Sequence, residues 1–83
     1  MKDTYGNTLK QGDIIKQIIN DDVLPKCSQW VVVDFGIEPS TGKNICIIKN
    51  LDKHYIMCAY ASELKYFAKE LGEWHHLMKQ KKN

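Results

Sequence analysis

The longest apolar run in the chain is Trp30-Val31-Val32-Val33-Asp34-Phe35, closed by Gly36. It is β-branched and flanked by turn-forming residues, which marks a strand. With a period of two, Val31, Val33 and Phe35 project one way and Trp30, Val32 and Asp34 the other. Asp34 favours solvent, so the pattern assigns Val31, Val33 and Phe35 to the core. Three further strands read as neighbours of this one. The first spans 13–19, where Ile15 and Ile19 share a face with Gln17, and Ile14 and Ile18 share the other with Lys16. Two half-apolar faces suit a small, strongly curved sheet. The third is Asn44-Ile45-Cys46-Ile47-Ile48-Lys49 and the fourth His54-Tyr55-Ile56-Met57-Cys58-Ala59-Tyr60. Pro25, in the acidic stretch after the first strand, and Pro39 with Gly42 after the second, punctuate the loops. Short strands joined by turns predict a small barrel or sandwich. The expected core is Leu9, Ile15, Ile19, Val31, Val33, Phe35, Ile45, Ile47, Ile56, Cys58 and Leu64.

The C-terminal part admits two readings. Leu64, Phe67 or Ala68, Leu71, Trp74 or His75, and Met78 recur at helical spacing, which allows one helix over 63–79. Gly72 costs such a helix about 1 kcal/mol. Alternatively Ser62-Glu63-Leu64 turns, Lys65-Tyr66-Phe67 forms a closing strand, and a final helix covers about 69–80. Closure is favoured because an open four-stranded sheet leaves unpaired edges. Trp30 and Val32, large apolar groups on the outer face, need a cover: either that helix lays Leu71, Trp74 and Met78 over them, or they are the binding surface.

Length and charge narrow the function classes. Eighty-three residues make one domain, 1–83, and 43% hydrophobic content suffices for a core. No stretch approaches the ~20 apolar residues of a membrane span, and the N-terminus has no apolar signal core, so a cytoplasmic location is expected. All twelve basic residues are Lys. Residues 1–64 hold seven Lys against eight acids and residues 65–83 five Lys against two, giving −1 for the body and +3 for the tail. The absence of Arg argues against base-specific DNA reading, which favours the bidentate guanidinium.

The opening Asp3, Tyr5-Gly6-Asn7, Leu9-Lys10 and Gly12-Asp13-Ile14 resembles the start of small SH3-like barrel domains of phages and mobile elements, and Ala61-Ser62-Glu63-Leu64 resembles the turn before their closing strand. The resemblance covers about 3–67. It implies a mainly β, SH3-like five-stranded barrel, here followed by the C-terminal α-helix. Relatives of this shape, the KOW-type, Tudor-like and chromo-like domains, bind nucleic acid or protein peptides. The Asp21 and Asp22 of this chain replace the basic loop of the KOW pattern.

Catalytic and metal chemistry find little support. His75 and His76 are adjacent, so on a helix they point about 100° apart. His54 and Cys58 on a strand lie more than about 10 Å apart. Cys27, Cys46 and Cys58 form no CxxC pair, and Cys46 and Cys58 read as core hydrophobes. No catalytic residue, metal ligand or cofactor is assigned, and a pocket of ~300 Å³ is hard to carve from so small a core. The expected function is a non-enzymatic protein-interaction module, an accessory protein of a phage or mobile element. Its candidate surface is Trp30, Val32, Tyr55, Tyr60 and Tyr66, with Trp30→Ala or Tyr60→Ala expected to abolish binding without unfolding. The alternative is nucleic-acid binding through Lys65, Lys69, Trp74, His75, Lys79, Lys81 and Lys82, which mix charge with stacking groups.

Overall fold

The computed structural model describes residues 1–20 and 26–70. Five strands follow in chain order: β1 (Ile14–Gln17), β2 (Gln29–Ile37), β3 (Asn44–Asn50), β4 (Ile56–Tyr60) and β5 (Phe67–Lys69). They form one antiparallel sheet in the order β4-β3-β2-β1-β5. The apolar run recognised in the sequence is thus the central strand, bonded to β1 on one side and β3 on the other.

The last part of the chain settles differently from either expectation at its start. Leu64–Tyr66 forms one 3₁₀ turn, and the fifth strand begins at Phe67, two residues later than the pattern placed it, at the edge of the sheet beside β1. A helix over 63–79 is therefore excluded for 63–70, and the final helix does not start at 69: Lys69 pairs with Ile15, and the Glu70 N–H donates to the Ile14 carbonyl at 2.8 Å. The remaining helical positions, 71–80, lie outside the described residues. No helix among the described residues is long and apolar enough to cross a membrane.

The larger correction concerns the faces of the sheet. The buried set is Leu9, Ile15, Trp30, Val32, Cys46, Ile48, Ala59, Leu64 and Phe67. Leu9, Ile15 and Leu64 are where the sequence put them. Val31, Val33 and Phe35 are not the core: Trp30 and Val32 are each 1% exposed, whereas Val33 is 39% exposed. The cause is a single β-bulge. Val32 lies opposite Ile48 and Asp34 opposite Ile47, which leaves Val33 as an extra residue. Beyond it the alternation inverts, so Asp34 joins Val31 on the outer face without displacing Trp30 and Val32 from the inner one. Phe35 returns to the inner side opposite Cys46 but stays exposed, because the β1 ladder reaches only Val31 and the flank of β2 beyond it is open.

The inversion propagates through cross-strand pairing, since directly opposed residues share a face. Cys46 and Ile48 face inward, and Ile45 and Ile47 are half-buried on the outer side. On β4, Ala59 is buried while Ile56 and Cys58 are exposed. Ile19, beyond the end of β1, is also exposed. Of the two thiols read as core, only Cys46 is, and burial pushes its pKa up to about 11.

The N-terminal turn ties the chain's beginning to its last strand. Asp3 is buried, and its Oδ1 accepts the Tyr5 and Asn7 N–H groups at 2.9 and 2.8 Å. Its Oδ2 accepts the Lys69 N–H at 2.7 Å and the Asn7 Nδ2 at 3.0 Å. Gly6, at φ +81°, supplies the left-handed residue this loop needs. The Asp-x-Tyr-Gly-Asn signature thus encodes a clasp: an aspartate that closes its own turn and ties that turn to β5.

Candidate aromatic groove

Trp30 is placed by β2 with its indole against the rings of Tyr55 and Phe67, edge-on, at centroid distances of 6.0 and 5.9 Å. Its Nε1–H donates to the Gln17 Oε1 at 3.3 Å, and Gln17 Nε2 donates in turn to the Ile19 carbonyl at 2.9 Å. Burial of the indole and amide is tolerated because their polar atoms are used in this way. Above this floor lies a groove of about 240 Å³ lined by Gln17, Ile19, Trp30, Met57, Glu63, Tyr66 and Phe67.

Each wall comes from a different local cause. Ile19 arrives where β1 ends, Met57 from the inward-facing side of β4, and Tyr66 and Phe67 from the 3₁₀ turn and the strand it feeds. Glu63 is fixed by its Oε1, which accepts the Tyr60 N–H at 3.0 Å. The Lys65 Nζ sits 5.1 Å from the Tyr66 ring centroid, a cation–π arrangement that braces the exposed tyrosine.

Of the candidate protein-binding residues, Trp30 and Tyr66 line this groove, and Tyr55 packs edge-on against Trp30 without lining it. Trp30 is the floor and not an exposed contact. Val32 is core and presents no surface. Tyr60 lies elsewhere, at the β2–β3 hairpin, where its hydroxyl donates to the Glu38 Oε2 at 2.6 Å. The Glu38 Oε1 accepts the Thr41 hydroxyl at 2.6 Å; that bond and then Tyr60's lower the Glu38 pKa, while the bond to Glu38 raises that of Tyr60. Lys43 covers the Tyr60 ring at 5.5 Å. A hollow beside it, lined by Gly42, Lys43, Asn44, Tyr60, Ala61 and Ser62, offers no apolar floor comparable to Trp30.

Of the candidate nucleic-acid residues, Lys65 is on the Tyr66 ring, and Lys69 is engaged by Asp13 Oδ2 at 3.4 Å and the Thr8 carbonyl at 3.5 Å. Trp74, His75, Lys79, Lys81 and Lys82 lie outside the described residues. Among the described residues no group of three or more His, Cys, Asp or Glu side chains is placed to hold a metal ion.

Ile19, Met57, Glu63 and Gln17 were not legible as site residues. The strand pattern assigns Ile19 to the core, and the turn that carries Glu63 gives no sign of the groove it borders. Met57 had one available signal: it alternates with Ala59, the smallest side chain on β4 and the one that is buried. No family model, curated protein or solved structure matches this chain.

Proposed function

We propose that the protein is a non-enzymatic interaction module of the SH3-like barrel type, an accessory protein of a phage or mobile element, and that its aromatic groove receives an extended segment of a partner protein. The single observation that carries this reading is the groove itself: an apolar hollow of about 240 Å³ with an immobilised tryptophan floor and exposed tyrosine at its rim. Rigid aromatic surface binds at low entropic cost, because few side-chain rotations have to be frozen. The 3₁₀ turn leading into the closing strand supports the barrel reading. Glu63 at the wall favours a segment in which an aliphatic side chain for the groove is followed by a cationic one.

The test is selection of short displayed peptides on the full chain, followed by measurement of affinity for Tyr66→Ala and Tyr60→Ala variants. Tyr66→Ala is expected to weaken binding by about 10–100-fold, and Tyr60→Ala to leave it unchanged. Selected peptides that lose affinity with Tyr60→Ala and not with Tyr66→Ala would move the site to the hairpin. Oligonucleotides that bind at low salt, with affinity falling steeply as salt rises, would support the nucleic-acid reading instead.

A further inference from the structure

The two edges of the sheet, β5 and β4, are finished differently. In an antiparallel strand the N–H and C=O of one residue point to the same side, and successive residues alternate. On β5 the Glu70 N–H donates to the Ile14 carbonyl and the Tyr66 carbonyl accepts the Ile18 N–H, so Phe67 and Lys69 turn their backbone groups away from β1. The N-terminal turn closes that side. The Phe67 carbonyl accepts the Thr4 N–H at 3.0 Å, and the Lys69 N–H donates to the Asp3 Oδ2 at 2.7 Å.

On β4 the closure is partial. The Asn50 N–H donates to the Tyr55 carbonyl at 2.7 Å, which aims Tyr55, and by alternation Met57 and Ala59, at β3. Ile56, Cys58 and Tyr60 therefore present their backbone groups at the open edge. Tyr60 is capped within the chain: its N–H donates to the Glu63 Oε1 and its carbonyl accepts the Glu63 N–H. Among the described residues the N–H and C=O of Ile56 and of Cys58 have no partner. Proteins ordinarily blunt such an edge with a charge, a proline or a bulge. Ile56-Met57-Cys58-Ala59 has no charged residue and no proline, and it pairs with β3 without a register shift. Ile56 is 58% exposed and Cys58 is exposed as well.

We propose that two copies of this chain pair antiparallel through β4, about a two-fold axis at Met57. The placing of the open groups selects both the occupant and the register, because they stand symmetrically on either side of Met57. A two-fold axis there sets Ile56 of one copy opposite Cys58 of the other, twice, and every open N–H meets an open C=O. An axis at Cys58 would set Ile56 against Tyr60, whose groups Glu63 already holds. The paired run is bounded at its other end by His54, where the backbone stands at φ +54°. Directly opposed residues share a face, so Ile56 meets Cys58 on the outer side and Met57 meets Met57 on the inner side. The two aromatic grooves, each walled by Met57, then lie on the same face of one continuous sheet. The pairing does not depend on the groove being a binding site.

Sedimentation equilibrium and amide exchange of the full chain test this together. So short an interface belongs to the weak class, and the dimer is expected to appear between about 10 µM and about 1 mM. Over that range exchange at the Ile56 and Cys58 amides should slow by at least about tenfold. A chain still monomeric at the upper concentration overturns the proposal. So does a dimer that leaves those two amides unprotected, since it uses another surface. Full protection of both in the monomer also overturns it, because the edge then belongs to another part of the same chain. Ile56→Pro removes one open N–H at the first position of β4, where proline is tolerated, and is expected to weaken dimerisation at least about tenfold. Dimerisation unchanged by that substitution rejects the pairing. If the variant fails to fold, a mixture of isotope-labelled and unlabelled unsubstituted chains decides. An NOE between the Met57 α-protons of the two copies supports the proposal, and its absence in the dimer rejects it.

Discussion

Trp30→Ala is expected to destabilise the domain by about 3–5 kcal/mol, the cost of emptying a tryptophan-sized space in a core. A domain of this length has on the order of 5–10 kcal/mol in total, so the variant should be partly unfolded at physiological temperature. Three features set the size of the effect. The side chain is 1% exposed, it contacts two aromatic rings edge-on, and its loss leaves the Gln17 Oε1 without the indole N–H. Trp30→Phe retains a ring but not the indole N–H, and should cost about 1–2 kcal/mol through the lost hydrogen bond and the smaller ring. Urea unfolding followed by far-UV circular dichroism measures both. A Trp30→Ala variant with an unchanged midpoint would return Trp30 to the surface and undo the assignment of the groove floor. The expectation from sequence, that this substitution removes binding without unfolding, is replaced by its opposite.

The second large effect belongs to Asp3. Burial alone would raise its carboxyl pKa, but hydrogen bonds from the Lys69 backbone, the Asn7 side chain and the Asn7 and Tyr5 backbones outweigh it, and the pKa falls below 3.8. A carboxyl depressed in the folded state gives its full stability above the unfolded pKa, and that stability is lost as pH falls through the folded value. The contribution of Asp3 is therefore complete at neutral pH and disappears only below about pH 4. Asp3→Asn keeps the shape but points an NH₂ group at the Lys69 N–H and the Asn7 amide, where two donors already converge. A cost of about 3 kcal/mol at pH 7 is expected, since hydrogen bonds to a charged acceptor are lost at a buried site. The difference between the native chain and Asp3→Asn should shrink as the pH is lowered from 5 to about 2. A difference that is constant over that range would mean the carboxylate charge plays no part in the clasp.

How far the sequence discloses this structure depends on which regularity is asked of it. The strands were legible because β-branched runs and turn residues are local signals, and β2, β3 and β4 lie close to where those signals put them. The Asp3–Asn7 turn was legible for the same reason. The faces were not, because they depend on one bulge at Val33, and period-two reasoning carries a single inserted residue through every later position. Asp34, a correct sign of solvent, therefore pointed at the wrong neighbours. Cross-strand pairing then carried the inversion into Ile45, Ile47, Ile56 and Cys58. The groove was half legible: aromatic residues were noticed, but that Tyr55 and Tyr66 meet at Trp30 and Tyr60 does not follows from long-range register, which no local pattern encodes.

The face assignment supports everything said about the groove and the outer surface, and two neighbouring residues test it. Val32 is 1% exposed and Val33, the bulged residue, 39%. Urea unfolding of Val32→Ala and Val33→Ala, measured side by side, is predicted to show a loss of about 2 kcal/mol for Val32. For Val33 the predicted loss is less than about 1 kcal/mol, because its side chain stays largely in contact with water. The reverse order, with Val33→Ala the more damaging, would contradict the account and restore Val31, Val33 and Phe35 as the core.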